Sequence, residues 1–145
     1  MPTRAIRGSP SPPGAPCPSP AQHDRPGAFR LGSRQGEPFW TDDTVTVLKA
    51  GPDRTGGRLA VLEQMLVAGR PRPARVDADG DEVVYLLEGI IDVTVGSDRY
   101  TLEPGGMLFV PHGEPVGITV LSDTARTLIV ITPAAPATLD GIVGG

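Results

Sequence analysis

The chain has little of what thiol, metal and aromatic chemistry draws on. Its single cysteine, Cys17, excludes an intrachain disulfide and a thiolate metal cluster, so a reducing, cytoplasmic setting is expected. Aromatic residues make up 4% of the chain beside a hydrophobic content of 39%, which allows one modest core. No apolar run approaches the ~20 residues that cross a bilayer, and no apolar stretch follows the first arginines, so neither a membrane span nor a secretory signal is expected. No nucleophile elbow, phosphate loop or dinucleotide fingerprint is present. Positive charge is scarce where it would matter for nucleic acid. Residues 1–38 carry five arginines against Asp24 and Glu37, but the remainder holds eight basic and 15 acidic residues. An acidic body argues against a surface that tracks phosphates.

What is abundant is glycine, 19 residues, and proline, 17, which point to many turns and no long helices. The prolines divide the chain. Residues 1–36, with GSPSPPGAPCPSP at their heart, lack both backbone donors and apolar surface, and form an extended or disordered arm with Phe29 and Leu31 as its anchors. Residues 37–135 are the folded body, and 136–145 are a tail without pattern. Within the body, short β-branched or alternating segments read as strands over 44–48, 58–67, 82–87, 90–95, 99–102, 107–110, 116–121 and 126–131. Glu88-Gly89, Gly96-Ser97-Asp98, Pro104-Gly105-Gly106 and Ser122-Asp123 supply the turns. The stretch 58–67 has a composition that also permits a helix; its short length between glycine breaks favours strand. Eight or nine short strands at even spacing make an all-β sandwich or barrel.

Two glycine-framed segments carry more specific information. The first keeps Gly69, Glu82 and Gly89; the second keeps Gly105, Pro111 and Gly113. These positions and the apolar residues around them resemble the two motifs of the cupin family, G-x5-H-x-H-x3,4-E-x6-G and G-x5-P-x-G-x2-H-x3-N, with 15 residues between them here. The resemblance covers about residues 39–131 and implies a double-stranded β-helix (jelly-roll) barrel, usually with a divalent metal between the motifs. The sequence departs from the pattern at the ligands. The three histidine positions hold Arg75, Asp77 and Val116, and the asparagine position holds Val120. A guanidinium stays protonated and repels a cation, so no metal and no other cofactor is expected. His112 lies in the turn, one residue before Gly113, and is expected at the rim.

In place of a metal, strand alternation puts Arg75 and Asp77 on one inward face with Glu82 following. Arg75 then either pairs with a carboxylate as pure structure or donates to a substrate carbonyl while Asp77 or Glu82 moves a proton. Leu62, Val84, Leu86, Met107, Phe109, Val116 and Ile118 are the expected apolar wall, Gln64 a polar reader in it, and Trp40 a residue of the mouth or of an interface. The resemblance extends to metal-free cupins of polyketide pathways. It implies a cofactor-independent cyclase or pericyclase acting on a hydrophobic small molecule, with a non-catalytic binding cupin as the alternative and a metal-dependent dioxygenase or isomerase the least favoured. A homodimer is the expected assembly, with neither nucleic acid nor membrane as partner.

Overall fold

Side chains on a strand alternate between two faces, and here that alternation sorts the body into an inside and an outside. The computed structural model describes residues 26–41, 44–69, 74–136 and 139. Among the described residues nine strands form: β1 Glu37–Trp40, β2 Thr44–Ala50, β3 Ala60–Val67, β4 Asp81–Glu88, β5 Ile91–Val95, β6 Asp98–Leu102, β7 Met107–Val110, β8 Val116–Val120 and β9 Thr124–Thr132. A four-residue helix, α1, spans Pro52–Thr55. The strands make two antiparallel sheets, one of six strands in the order β1-β2-β3-β9-β4-β7 and one of three in the order β6-β5-β8. Buried residues of both sheets share one apolar cluster, among them Leu86 and Val110 from the large sheet and Ile91, Val93 and Val120 from the small one. This is the jelly-roll barrel that the motifs imply.

The eight expected strands are all present. Strand β1 is an addition, because Glu37-Pro38 reads as a strand breaker; an edge strand tolerates proline, and Pro38 stands across from Val47 on the outermost strand of the sheet. The Pro52-Asp53 turn is wound into α1, with Pro52 at its start and Gly56 in the left-handed conformation closing it. Cys17 and His23 lie outside the described residues.

Register aligns the inward side chains of the large sheet into transverse rungs. Thr46, Gln64, Thr127 and Leu86 form one; Leu48, Leu62, Ile129, Val84 and Leu108 form the next; Ala60, Ile131, Glu82 and Val110 form a third. In the arm, residues 26–36 have no strand or helix. They are tied down by Lys49, whose Nζ donates to the carbonyls of Gly32, Ser33 and Gln35 at 3.3, 3.1 and 2.6 Å. The Arg54 guanidinium stacks 4.2 Å from the centroid of Phe29.

Candidate functional site

The two motifs meet where the chain enters β4 and β8. Arg75 and Val116 form an isolated backbone bridge, Arg75 N–H donating to Val116 O at 3.0 Å and Val116 N–H returning to Arg75 O at 2.8 Å. From this anchor the Arg75 side chain reaches Glu82. Nη1 donates to Oε1 at 2.7 Å and Nη2 to Oε2 at 2.6 Å, a two-pronged pair of the strong, charge-assisted kind. The Glu82 side chain is 2% exposed and that of Arg75 is 23% exposed. The carboxylate is therefore sealed behind the guanidinium, which is the partner that stays partly open to solvent.

Among the described residues no hydrogen bond joins Asp77 to the pair; it is half-buried like Arg75, and Val76 between them is exposed. Asp77 instead builds the turn before β4. Its Oδ1 accepts from the amides of Asp79 and Gly80 at 3.0 and 2.9 Å, and its carbonyl accepts from Gly113 N–H at 2.7 Å. Its Oδ2 is buried with no hydrogen-bond partner among the described residues. The rim is fastened again at His112, whose N–H donates to Asp81 Oδ1 at 2.9 Å while Nδ1 lies 2.9 Å from the same oxygen. That contact raises the His112 pKa above its ordinary value, chiefly through the hydrogen bond to Asp81, and lowers that of Asp81.

Of the expected wall, Leu62, Val84, Leu86 and Val116 are buried and Ile118 packs half-buried against them. Met107 and Phe109 are corrections. They are 52% and 53% exposed, because β7 turns Leu108 and Val110 inward. Trp40 is exposed on the outer face. Gln64 is buried, and its Nε2 donates to Thr46 Oγ1 at 3.1 Å. Thr46 and Thr127, its rung neighbours, are buried polar residues that sequence reasoning missed. The signal was the inward parity of TVTVL and TARTLIVI, where threonine passes for a β-branched strand former.

The family's metal does not fit these residues. A guanidinium bound to Glu82 stands at one histidine position, Asp77 is committed to its turn, and Val116 belongs to the core. Among the described residues, no group of three or more His, Cys, Asp or Glu side chains is placed to hold a metal ion. The geometry defines a small jelly-roll barrel with an ion pair at positions where the motif pattern would put metal ligands. Residues 63–132 match the family model described as Cupin domain, so that stretch of the chain is a cupin domain. Solved structures of similar shape include an RmlC-like cupin from Shewanella frigidimarina, 16% identical, covering 77% of this chain and 96% of its own with a TM-score of 0.66. KdgF from Halomonas sp. is 15% identical over 77% of this chain and 97% of its own, TM-score 0.64. Ectoine synthase from P. lautus is 18% identical over 71% and 73%, TM-score 0.61. No curated protein matches the chain. These likenesses establish the fold; since proteins of different activities share it, the chemistry is argued from the site.

Proposed function

We propose that the chain is a cofactor-independent cupin that takes a hydrophobic, polyketide-type polyene into the barrel, holds its conjugated carbonyl on Arg75, and promotes intramolecular cycloaddition. The observation that carries the reading is the two-pronged Arg75–Glu82 pair with its guanidinium outermost. A guanidinium has five N–H donors, and Glu82 takes two of them. The rest are held in place by a buried partner, so donating to a carbonyl oxygen costs little reorganisation. Such a donor draws electron density from the conjugated system. A fixed fold of the polyene between apolar walls supplies several kcal/mol more, through orientation alone. Base-dependent ring closure would fall to Asp77, whose Oδ2 has no hydrogen-bond partner among the described residues, because both Glu82 oxygens are already engaged. The same engagement favours a second reading, a non-catalytic carrier of the same ligand class. We extend the proposal to a cytoplasmic homodimer, joined through the exposed apolar side chains on the outside of the large sheet; no described helix is long and apolar enough to cross a membrane.

The test is incubation of the purified protein with a linear polyene bearing a terminal conjugated ketone, followed by loss of polyene absorbance and by mass spectrometry of the cyclised isomer. Acceleration that disappears in the folded double variant Arg75→Met/Glu82→Met supports the cyclase. Binding without acceleration leaves the carrier. Failure to bind ends both readings, and near-stoichiometric iron, manganese or zinc in untagged protein ends the cofactor-independent one.

A further inference from the structure

The two sheets end in strands that leave side chains open to solvent, β6 on the small sheet and β7 on the large one. A cleft of about 360 Å³ is lined from both, by Asp98 and Tyr100 of β6, Phe109 of β7, and Gly96, Pro111 and Glu114 of the adjoining turns, among others. The turns are fastened to each other. Gly96 N–H donates to Pro115 O at 2.9 Å, and Glu114 Oε2 lies 3.1 Å from where a Cβ on Gly96 would stand. Entry needs no movement of the core, since Tyr100 is 43% and Phe109 53% exposed and both carboxylate residues are open to solvent.

The chemistry of the cleft is one-sided. Neither the Asp98 nor the Glu114 side chain has a hydrogen bond or ion pair among the described residues, and no basic residue lines the cleft. Arg99, between Asp98 and Tyr100, falls on the opposite face of β6 and lies 3.7 Å from Asp92. Arg75 is not in the lining, and its charge is met by Glu82. Elsewhere the chain shows what such groups take up. Arg126 spans two carboxylates, Glu63 and Glu88, and the Arg54 guanidinium lies over the Phe29 ring. The cleft has two carboxylates and two aromatic rings, and no arginine of its own. We propose that it binds a guanidinium group carried by a small molecule of the alkylguanidine class. A planar guanidinium stacks on an aromatic ring while its N–H groups donate to carboxylates at its edge. The volume is near the lower end for ligand pockets, which suits a short alkyl chain. The proposal does not depend on the reading of Arg75.

An NMR titration of the full chain with n-butylguanidinium chloride and with n-butylurea tests this, since the urea keeps the plane and the alkyl chain but carries no charge. Wild type is expected to show saturable shifts at the Gly96, Ser97, Asp98 and Glu114 amides and to bind the guanidinium roughly tenfold more tightly than the urea. Asp98→Asn together with Glu114→Gln is expected to remove that preference, and Tyr100→Leu to weaken guanidinium binding roughly threefold. These variants leave in place Phe109, which also belongs to the outer face of the large sheet. Equal affinities in wild type, shifts that do not saturate or that spread over acidic residues generally, or a preference that survives the double charge variant overturns the proposal. The wild-type comparison decides even where a variant fails to fold, and none of these outcomes bears on the cyclase test, which reads Arg75 and Glu82.

Discussion

Glu82 is a carboxylate with 2% of its side chain exposed, and everything at the mouth follows from how its charge is met. Removing Arg75 alone strands that charge, so Arg75→Ala is expected to cost about 3–5 kcal/mol of stability. Replacing both partners by methionine removes the problem with the charge, and the double variant is expected to lie between neutral and about 4 kcal/mol more stable. Urea denaturation of the three proteins decides it; equal losses in single and double variants would show that the pair is not the element held. Thr127→Val works the same way on a smaller scale and is expected to gain about 1 kcal/mol by deleting an unpaired hydroxyl. How far these residues were legible depends on the local pattern. Gln64 and Glu82 stood out as polar residues in apolar strands. Met107 and Phe109 did not sort correctly because MLFV is apolar at every position, and a parity error of one flips every side chain to the other face. Asp77 was read from its parity with Arg75 alone, and its part in building the turn at Asp79-Gly80 left no trace in that pattern.

Among the connections, the motif glycines are needed for different reasons. Gly89 has φ +90°, and a Cβ there would overlap the Thr124 carbonyl and lie 2.8 Å from Ala125 Cα, so β4 could not turn past the start of β9. Gly105 has φ +92° but nothing within 4 Å of an added Cβ. Gly105→Ala is expected to cost about 1–3 kcal/mol through backbone strain alone, and Gly89→Ala clearly more; equal midpoint shifts in urea would refute the close-approach argument. The rim loop carries a pH dependence whose sign is fixed by its pair. His112 has a raised pKa in the fold, so its contribution is present below the ordinary histidine value of 6.5 and is lost as pH rises through the folded value. Asp81 has a lowered one, so its contribution is present above the ordinary value of 3.8 and is lost as pH falls through the folded value. The latch is therefore strongest between those ordinary values, with the nearby charges of Asp77 and Asp79 adding to the His112 shift. Both groups are open to solvent, so salt weakens the effect. An NMR titration is expected to show the His112 midpoint above normal, returning toward normal in Asp81→Asn and in high salt; an unshifted midpoint in wild type would remove the latch. The motifs made these loops readable as turns, but not their partners, since a hydrogen bond between positions 81 and 112 leaves no trace in local pattern.

At the scale of the whole molecule, the jelly roll was readable because glycine spacing and strand alternation agree along the chain. What they left undecided is the outer face of the large sheet. Register places Trp40 beside Val45 and Met65, and Leu128 beside Tyr85 and Met107, with Val83 paired to Phe109 in the next row. Trp40, Met65, Tyr85, Met107 and Phe109 are all exposed. Exposed apolar side chains gathered on one sheet face are the kind of surface an interaction site uses, and the proposed homodimer would use this one. The charges within it are already matched: Arg126 binds Glu63 and Glu88 on its own sheet. A second copy laid against this face would thus bury no unpaired charge, which is the usual obstacle to covering a charged sheet surface. Sedimentation equilibrium is expected to give twice the chain mass for wild type. Met107→Glu together with Phe109→Glu, both outward on an edge strand, is expected to give the single chain mass with an unchanged far-ultraviolet spectrum. A wild type that sediments as one chain would assign the exposed face to some other partner and remove the dimer from the account. A charged double variant that stays dimeric would move the interface to the sheet edges instead.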